Sequence, residues 1–156
     1  MHGDQLAGNL EHLGVPIMSD QIDQMLGLKT WAIVGLSNNS ERAAYRVAKV
    51  LIENGHQVIP VHPKAEVVHG QIGYAKLSDI PVPIDVVDIF VNSALAGSVV
   101  DEAIKIGAKG VWLQLDVIDA GAVARAHDSG LLAVMNHCPA IEYKKRAEFY
   151  SSISPL

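Results

Sequence analysis

Cysteine is nearly absent from this 156-residue sequence, and Cys138 is the only one. A single cysteine excludes an internal disulfide and a zinc site built from several thiolates. The seven histidines are scattered, without the His-x-x-x-His or His-Glu-x-x-His spacing of metal sites, so we expect no bound metal. Charged residues make up only 19% of the chain against 49% hydrophobic residues, which excludes a disordered chain and indicates one domain with a substantial core.

Positive charge is also in short supply. Twelve Lys and Arg residues face seventeen Asp and Glu residues, and the formal net charge of −5 argues against non-specific binding to nucleic acid or to an acidic membrane surface. No apolar run approaches the roughly 20 residues of a membrane span. The N-terminus lacks the basic and apolar regions of a signal peptide. We expect a cytoplasmic protein, with a homodimer or an unidentified protein partner left open.

What is present is a regular alternation of buried strands and amphipathic helices. Apolar runs predict strands at residues 31–34, 57–61, 86–91, 110–114 and 131–135, with a weaker edge strand at 67–74. Caps at Ser40, Asn92 and Asp119 predict the intervening helices. This alternation predicts a three-layer α/β fold around a doubly wound parallel sheet of five or six strands, in the order 3-2-1-4-5. We divide the chain into an arm with a short helix (1–29), this domain (30–146) and a tail (147–156).

The first strand and its loop form the most informative stretch. Trp31-Ala32-Ile33-Val34 is apolar without alternation, which suits a strand buried on both faces. Gly35 ends it, a polar loop follows through Ser40, and a helix comes next. Free amide groups and the positive end of a helix dipole then face one place, which predicts an anion site.

The ligand class follows from two details. The loop holds one glycine, whereas a dinucleotide site uses Gly-x-Gly-x-x-Gly, and the second predicted strand ends in His62-Pro63-Lys64 where an NAD site carries an acidic residue. A lysine at that place suits a phosphate on the ribose. The sequence therefore favours coenzyme A or NADP over NAD, and no Walker loop supports ATP chemistry.

Several motifs, in order, resemble one family. These are Gly35-Leu36-Ser37, Glu41-Arg42, Tyr45-Arg46-Val47-Ala48, Val61-His62-Pro63-Lys64, Trp112-Leu113-Gln114 and Asn136-His137-Cys138-Pro139. Together they resemble the small stand-alone CoA-binding-domain proteins, which are similar to the CoA-binding domain of the succinyl-CoA synthetase alpha subunit. The resemblance covers roughly residues 30–146. It implies a Rossmann-like fold with CoA lying across the switch point.

The resemblance also implies roles for single residues. Ser37 and its neighbouring backbone would hold phosphate, Arg42 would contact an anion, and Lys64 would pair with a phosphate near the adenosine. The full set of expected cofactor contacts is Gly35, Leu36, Ser37, Asn38, Ser40, Arg42, His62, Pro63, Lys64, Asn92, Ser93, Gln114, Asn136 and Cys138.

Three positions depart from the family pattern. Ala44 stands where a serine is frequent, Val91 where an arginine is common, and Asp116 where a glycine is common. Each lost charged contact would cost about 1–3 kcal/mol of binding free energy.

The leading hypothesis is a binding module for CoA or an acyl-CoA with no catalytic residues of its own. The second hypothesis is an enzyme, either an NADP-dependent oxidoreductase or a fragment of an acyl-CoA ligase. A third hypothesis is a redox or scaffold protein in which Cys138 forms a mixed disulfide with the CoA thiol or joins two chains. His137 and Cys138 are adjacent at a strand end and point in opposite directions, so we expect no catalytic dyad.

Overall fold

The computed structural model describes residues 17–153, and its secondary structure alternates as the sequence predicts. The predicted N-terminal arm therefore lies mostly outside the described residues. The strands are β1 (Thr30–Val34), β2 (Gln57–Val61), β3 (Val86–Ile89), β4 (Gly110–Leu113) and β5 (Leu132–Val134). The helices are α1 (Met18–Leu26), α2 (Ala43–Glu53), α3 (Ser93–Lys105), α4 (Ala120–Asp128) and α5 (Pro139–Ile153), with a short 3-10 turn at Leu77–Asp79.

All five strands are parallel, in the order β2-β1-β3-β4-β5. The predicted order 3-2-1-4-5 counts the expected edge strand at 67–74 as the third strand, so the observed β3 and β4 are its fourth and fifth. The structure thus confirms the predicted doubly wound sheet. The direction of winding reverses between β1 and β3, which places the switch point at the ends of these two strands. Where a sixth, edge strand was predicted at 67–74, the structure has two isolated bridges, one of which joins Tyr74 to Val61 of β2. Gly70 has a positive φ of 76°, and such a residue interrupts an extended strand.

Two apolar clusters form the core, one on each face of the sheet. The α3 and α4 face packs small residues such as Ala96 and Ala126 against Val87 and Val111. The other face packs α1, α2 and the start of α5 against Trp31 and Trp112, whose rings lie 5.5 Å apart. Neighbours in β1 alternate between the two clusters, as the two-residue period of a strand requires.

Two of the three predicted helix caps are observed. Asn92 and Asp119 accept hydrogen bonds from Leu95 N and Ala122 N at the starts of α3 and α4. Ser40, predicted to cap α2, does not. The side-chain oxygen of Asn39 accepts from Glu41 N and its carbonyl oxygen from Arg42 N, so a turn precedes the helix and α2 begins at Ala43.

The C-terminal helix is longer than predicted. The domain was predicted to end at residue 146, whereas α5 continues through part of the predicted tail to Ile153. Arg146 holds it to α1 through an ion pair with Asp23, with an Nη2–Oδ1 distance of 2.6 Å. None of the helices between residues 17 and 153 has the length and apolar character needed to cross a membrane.

Candidate functional site

A cleft of about 700 Å³ opens at the carboxyl ends of β1 and β3, at the switch point. Its lining includes Val34, the last residue of β1, Gly35, which follows it, and Phe90 and Val91 after β3. The carboxyl end of β2 closes one side. Parallel sheets with this winding place their ligand sites at such an edge, so the topology and the cleft agree.

Gly35 allows the first loop to leave the sheet at this point. Its φ is +98°, and a Cβ there would overlap the carbonyl oxygen of Phe90. Gly35 N donates to Val61 O at 2.8 Å, which ties the start of the loop to β2. Only glycine combines this backbone conformation with this close approach.

Positive side chains gather around the cleft. Arg42, Lys64 and Lys76 line it, together with the half-buried His62, and Glu102 contributes the one carboxylate of its lining. Within residues 17–153 no ion pair engages these three cations. His62 Nδ1 accepts a hydrogen bond from Lys64 N at 3.2 Å, which holds the turn after β2 in place. Free cations beside a helix N-terminus favour a ligand with several negative charges.

Some backbone amides of the first loop already donate hydrogen bonds within the protein, so fewer of them can bind an anion than the sequence predicts. Asn38 N donates to the carboxylate of Glu66 at 3.2 Å, and Asn39 N donates to Ser37 Oγ at 3.4 Å. In the described part of the chain, Leu36 N, Ser37 N and Ser40 N have no recorded hydrogen-bond acceptor. A phosphate at the loop would therefore meet these amides and the first turn of α2, while the Glu66 carboxylate already occupies Asn38 N.

The predicted contacts fall into three groups. Gly35, Ser37, Arg42, His62, Pro63 and Lys64 line the cleft. Gln114 and Cys138 line a second, smaller cavity of about 270 Å³ that shares Ala43, Phe90 and Val91 with the cleft. Leu36, Asn38, Ser40, Asn92, Ser93 and Asn136 line neither space.

Four members of the third group have structural roles in the fold. Leu36 is 1% exposed and packs in the core, and Asn92 caps α3. Ser93 Oγ accepts from Ile118 N at 2.9 Å, and Asn136 Oδ1 accepts from Asp116 N at 2.8 Å. These bonds connect the loops that follow β3, β4 and β5. Asp116, at the position where the family commonly has glycine, has a left-handed φ of 67°.

The sequence did not single out Lys76, Glu66 or Asp88. Lys76 and Glu66 lie in the irregular stretch between β2 and β3, where no strand end indicates their position. Asp88 carried a visible signal, since it interrupts the apolar run of β3. It is wholly buried, its Oδ1 accepts from Gln114 Nε2, and burial raises its pKa to about 8.

Cys138 lies on the smaller cavity and is 9% exposed. Burial raises the pKa of its thiol, and the nearby Asp88 carboxyl adds to that effect. His137 Nδ1 lies within hydrogen-bond distance of Met135 O, at 2.8 Å. No group of three or more His, Cys, Asp or Glu side chains among residues 17–153 could hold a metal ion.

Comparison with known proteins gives a consistent picture. A family model described as a CoA-binding domain matches residues 29–144. The uncharacterized protein YneT of Bacillus subtilis (strain 168) is 29% identical over 110 residues, which cover 70% of this chain and 82% of that protein. A solved hypothetical protein from Pyrococcus horikoshii OT3 is 40% identical, with a TM-score of 0.77, over 83% of this chain and 92% of that one.

One solved relative is a much larger protein. The dinucleotide-forming acetyl-coenzyme A synthetase 1 of Ca. Korarchaeum cryptofilum, in its apo form, is 27% identical with a TM-score of 0.59. The match covers 70% of this chain but 28% of that protein. The shared part is thus one domain of the larger chain.

Proposed function

This chain belongs to the CoA-binding domain family, and we propose that its cleft binds coenzyme A or an acyl-CoA without catalysing a reaction. The observation that carries the proposal is the gathering of Arg42, Lys64 and Lys76 around a cleft at the switch point of the sheet. CoA offers a diphosphate and a further phosphate on its ribose, and these three cations, which form no ion pair with any residue from 17 to 153, match that charge.

The positions of the cations around the cleft indicate which phosphate of CoA each one binds. Arg42 and the free amides of the first loop stand at the N-terminus of α2, where a diphosphate would be stabilised by the helix dipole. Lys64 lies beyond the end of β2, where the ribose of a nucleotide is held in related folds. We therefore assign the diphosphate to Arg42 and the ribose phosphate to Lys64.

The alternative hypotheses, NADP binding, a redox role for Cys138 and ligase activity, have less support. NADP carries a comparable ribose phosphate, but the first loop lacks the Gly-x-Gly-x-x-Gly pattern that is typical of dinucleotide sites. A redox role for Cys138 needs an accessible thiolate, whereas burial raises the pKa of this thiol. Ligase chemistry belongs to a protein of which this chain covers 28%. In the cleft, Ser37 Oγ and His62 Nδ1 accept hydrogen bonds from the backbone amides of Asn39 and Lys64.

Isothermal titration of the full chain with CoA, dephospho-CoA and NADP tests the proposal. We expect binding of CoA, and we expect Lys64→Ala to weaken CoA by about tenfold or more while changing dephospho-CoA little, because only CoA carries the phosphate assigned to Lys64. Lys49→Ala, an exposed lysine of α2 outside the cleft, is the matched control and should bind as the parent does. Absence of binding by every CoA species would refute the function, and equal losses for CoA and dephospho-CoA would refute the role of Lys64.

Glu66 gives the opposite test at the same site. Its carboxylate accepts from Asn38 N and adds negative charge beside the loop that would hold phosphate. Glu66→Gln keeps the size and an oxygen acceptor while removing the charge, so we expect CoA to bind several-fold more tightly, with the larger gain at low salt. An unchanged or weaker affinity would show that no phosphate approaches this loop.

A further inference from the structure

The smaller cavity adjoins the cleft and differs from it in chemistry. The two share Ala43, Phe90 and Val91, so they form neighbouring compartments along one edge of the sheet. Val47 and Val117 line the smaller cavity and not the cleft. The cleft is lined by Arg42, Lys64 and Lys76, whereas the lining of the smaller cavity contains no charged side chain.

The wall of the smaller cavity is mostly aliphatic and aromatic. Val47 and Val117 are each 7% exposed and present methyl groups, and only Gln114 and Cys138 contribute polar side-chain atoms. Such a surface favours an apolar group over a phosphate or a sugar.

A hydrogen bond to the buried Asp88 fixes the orientation of the Gln114 side-chain amide. Its Nε2 donates to Oδ1 of the buried Asp88, while Oδ2 of Asp88 has no hydrogen-bond partner among the described residues. With the nitrogen committed to Asp88, the amide oxygen is the atom left to accept a hydrogen bond from an N–H group of a ligand.

The volume indicates how much of a ligand the cavity takes. At about 270 Å³ it falls below the roughly 300–1,000 Å³ of sites that enclose a whole small molecule. Because the smaller cavity adjoins the cleft, it suits one end of a longer ligand whose charged part lies in the cleft.

We propose that the smaller cavity is an acyl pocket, and that the preferred ligand of this protein is a CoA thioester of a short aliphatic acid, bound in preference to free CoA and to long-chain acyl-CoA. This inference rests on the proposed function, since it concerns the far end of the same ligand. Val47 and Val117 set the length of the acyl chain, and the Gln114 amide oxygen accepts an N–H of the arm that leads to it.

Burial of apolar groups sets the expected size of the effect. Each methylene group moved from water into such a cavity strengthens binding by about fourfold. We expect the affinity of the full chain to rise from CoA through acetyl-CoA to butyryl-CoA and to fall for palmitoyl-CoA, whose chain exceeds the cavity. Isothermal titration with this series, at one salt concentration, measures it.

Two variants of Val117 locate the effect in this cavity. Val117→Ala enlarges the pocket and should move the preferred acyl group to a longer chain, whereas Val117→Phe fills it and should weaken butyryl-CoA about tenfold or more while sparing free CoA. Val99→Ala, a valine that lines only the cleft, is the control and should leave the order of preference unchanged. Circular dichroism confirms that each variant is folded, and Val117→Ala carries the test if Val117→Phe is not.

The outcomes separate the two proposals. Equal affinity for free CoA and every short acyl-CoA, or a chain-length preference that Val117→Ala does not move, would overturn the acyl pocket and leave CoA binding intact. Absence of binding by any CoA species would overturn the proposed function and the acyl pocket together.

Discussion

Asp88 is the residue whose protonation state depends most on the fold. It lies in β3 between Ile33 of β1 and Trp112 of β4, and its Oδ1 accepts a hydrogen bond from Gln114 Nε2. Burial raises the pKa of Asp88 from 3.8 to about 8, and the Gln114 bond opposes that rise. Between these two values the folded chain binds a proton that the unfolded chain has released. The free energy of unfolding therefore falls as the pH rises from about 4 to about 8, and it levels off above.

Asp88→Asn tests this pH dependence. The amide is nearly isosteric and neutral at every pH, so the variant should lack the loss of stability that the parent shows. Relative to the parent, we expect the free energy of unfolding of Asp88→Asn to be about 4 kcal/mol higher at pH 9 than at pH 5, since the Asp88 contribution changes by about 1.4 kcal/mol per pH unit up to its folded pKa. Urea unfolding at both pH values measures the difference.

Asp128→Asn, at an exposed position on the last turn of α4, is the matched control. It removes a carboxylate from the surface and should shift both unfolding curves alike. A parent and an Asp88→Asn variant that respond identically to pH would show that Asp88 is ionised in the fold, with a partner or water that stabilises the charge.

At the scale of elements, a long-range contact protects the open edge of the sheet. β5 is an edge strand, and the side-chain oxygen of Gln21 in α1 accepts from Ala133 N at 2.9 Å and lies 2.8 Å from His127 Nε2. Gln21 is 4% exposed, so water does not replace it readily. An edge strand with free amides invites pairing with another chain, and α1 covers this one.

Gln21→Ala should leave a buried N–H group of β5 without an acceptor. We expect a loss of about 1–3 kcal/mol in the free energy of unfolding, measured by urea titration. Gln24→Ala, an exposed position on the same helix, controls for changes in helix propensity and should cost little. Similar losses in the two variants would show that the amide of Ala133 does not depend on Gln21.

Local signals in the sequence predicted the elements themselves. The unbroken apolar run Trp31–Val34 indicated a strand with two covered faces, and Asn92 and Asp119 cap helices as their positions indicated. The misplaced start of α2 has a local cause as well, because Asn39 competes with Ser40 for the same amides and forms a turn first. The contact between Gln21 and Ala133 could not be predicted, since 112 residues separate the two and no local pattern pairs them.

For the whole molecule, the alternation of strands and helices was enough to predict the sheet order, because crossovers between parallel strands are right-handed and few topologies remain. That order in turn gathered Gly35, Arg42 and Lys64 on one cleft. The positions of Lys76 and Glu66 at the site could not be predicted, since both come from an irregular stretch that is joined to β2 by one isolated bridge. The cleft and the smaller cavity are spaces between elements, and their sizes depend on packing that no sequence period encodes.

A ligand held between elements stabilises the whole fold, which gives the last prediction. CoA at a hundred times its dissociation constant should add about 2.7 kcal/mol to the free energy of unfolding, and for a chain of this size that raises the melting temperature by roughly 5–10 °C. The shift should grow with the logarithm of CoA concentration and shrink as salt screens Arg42, Lys64 and Lys76. Differential scanning calorimetry with CoA and, as control, free adenosine separates binding of the phosphates from binding of the base. An equal shift from adenosine would mean that the cations around the cleft contribute nothing, and the charge argument for CoA would fail.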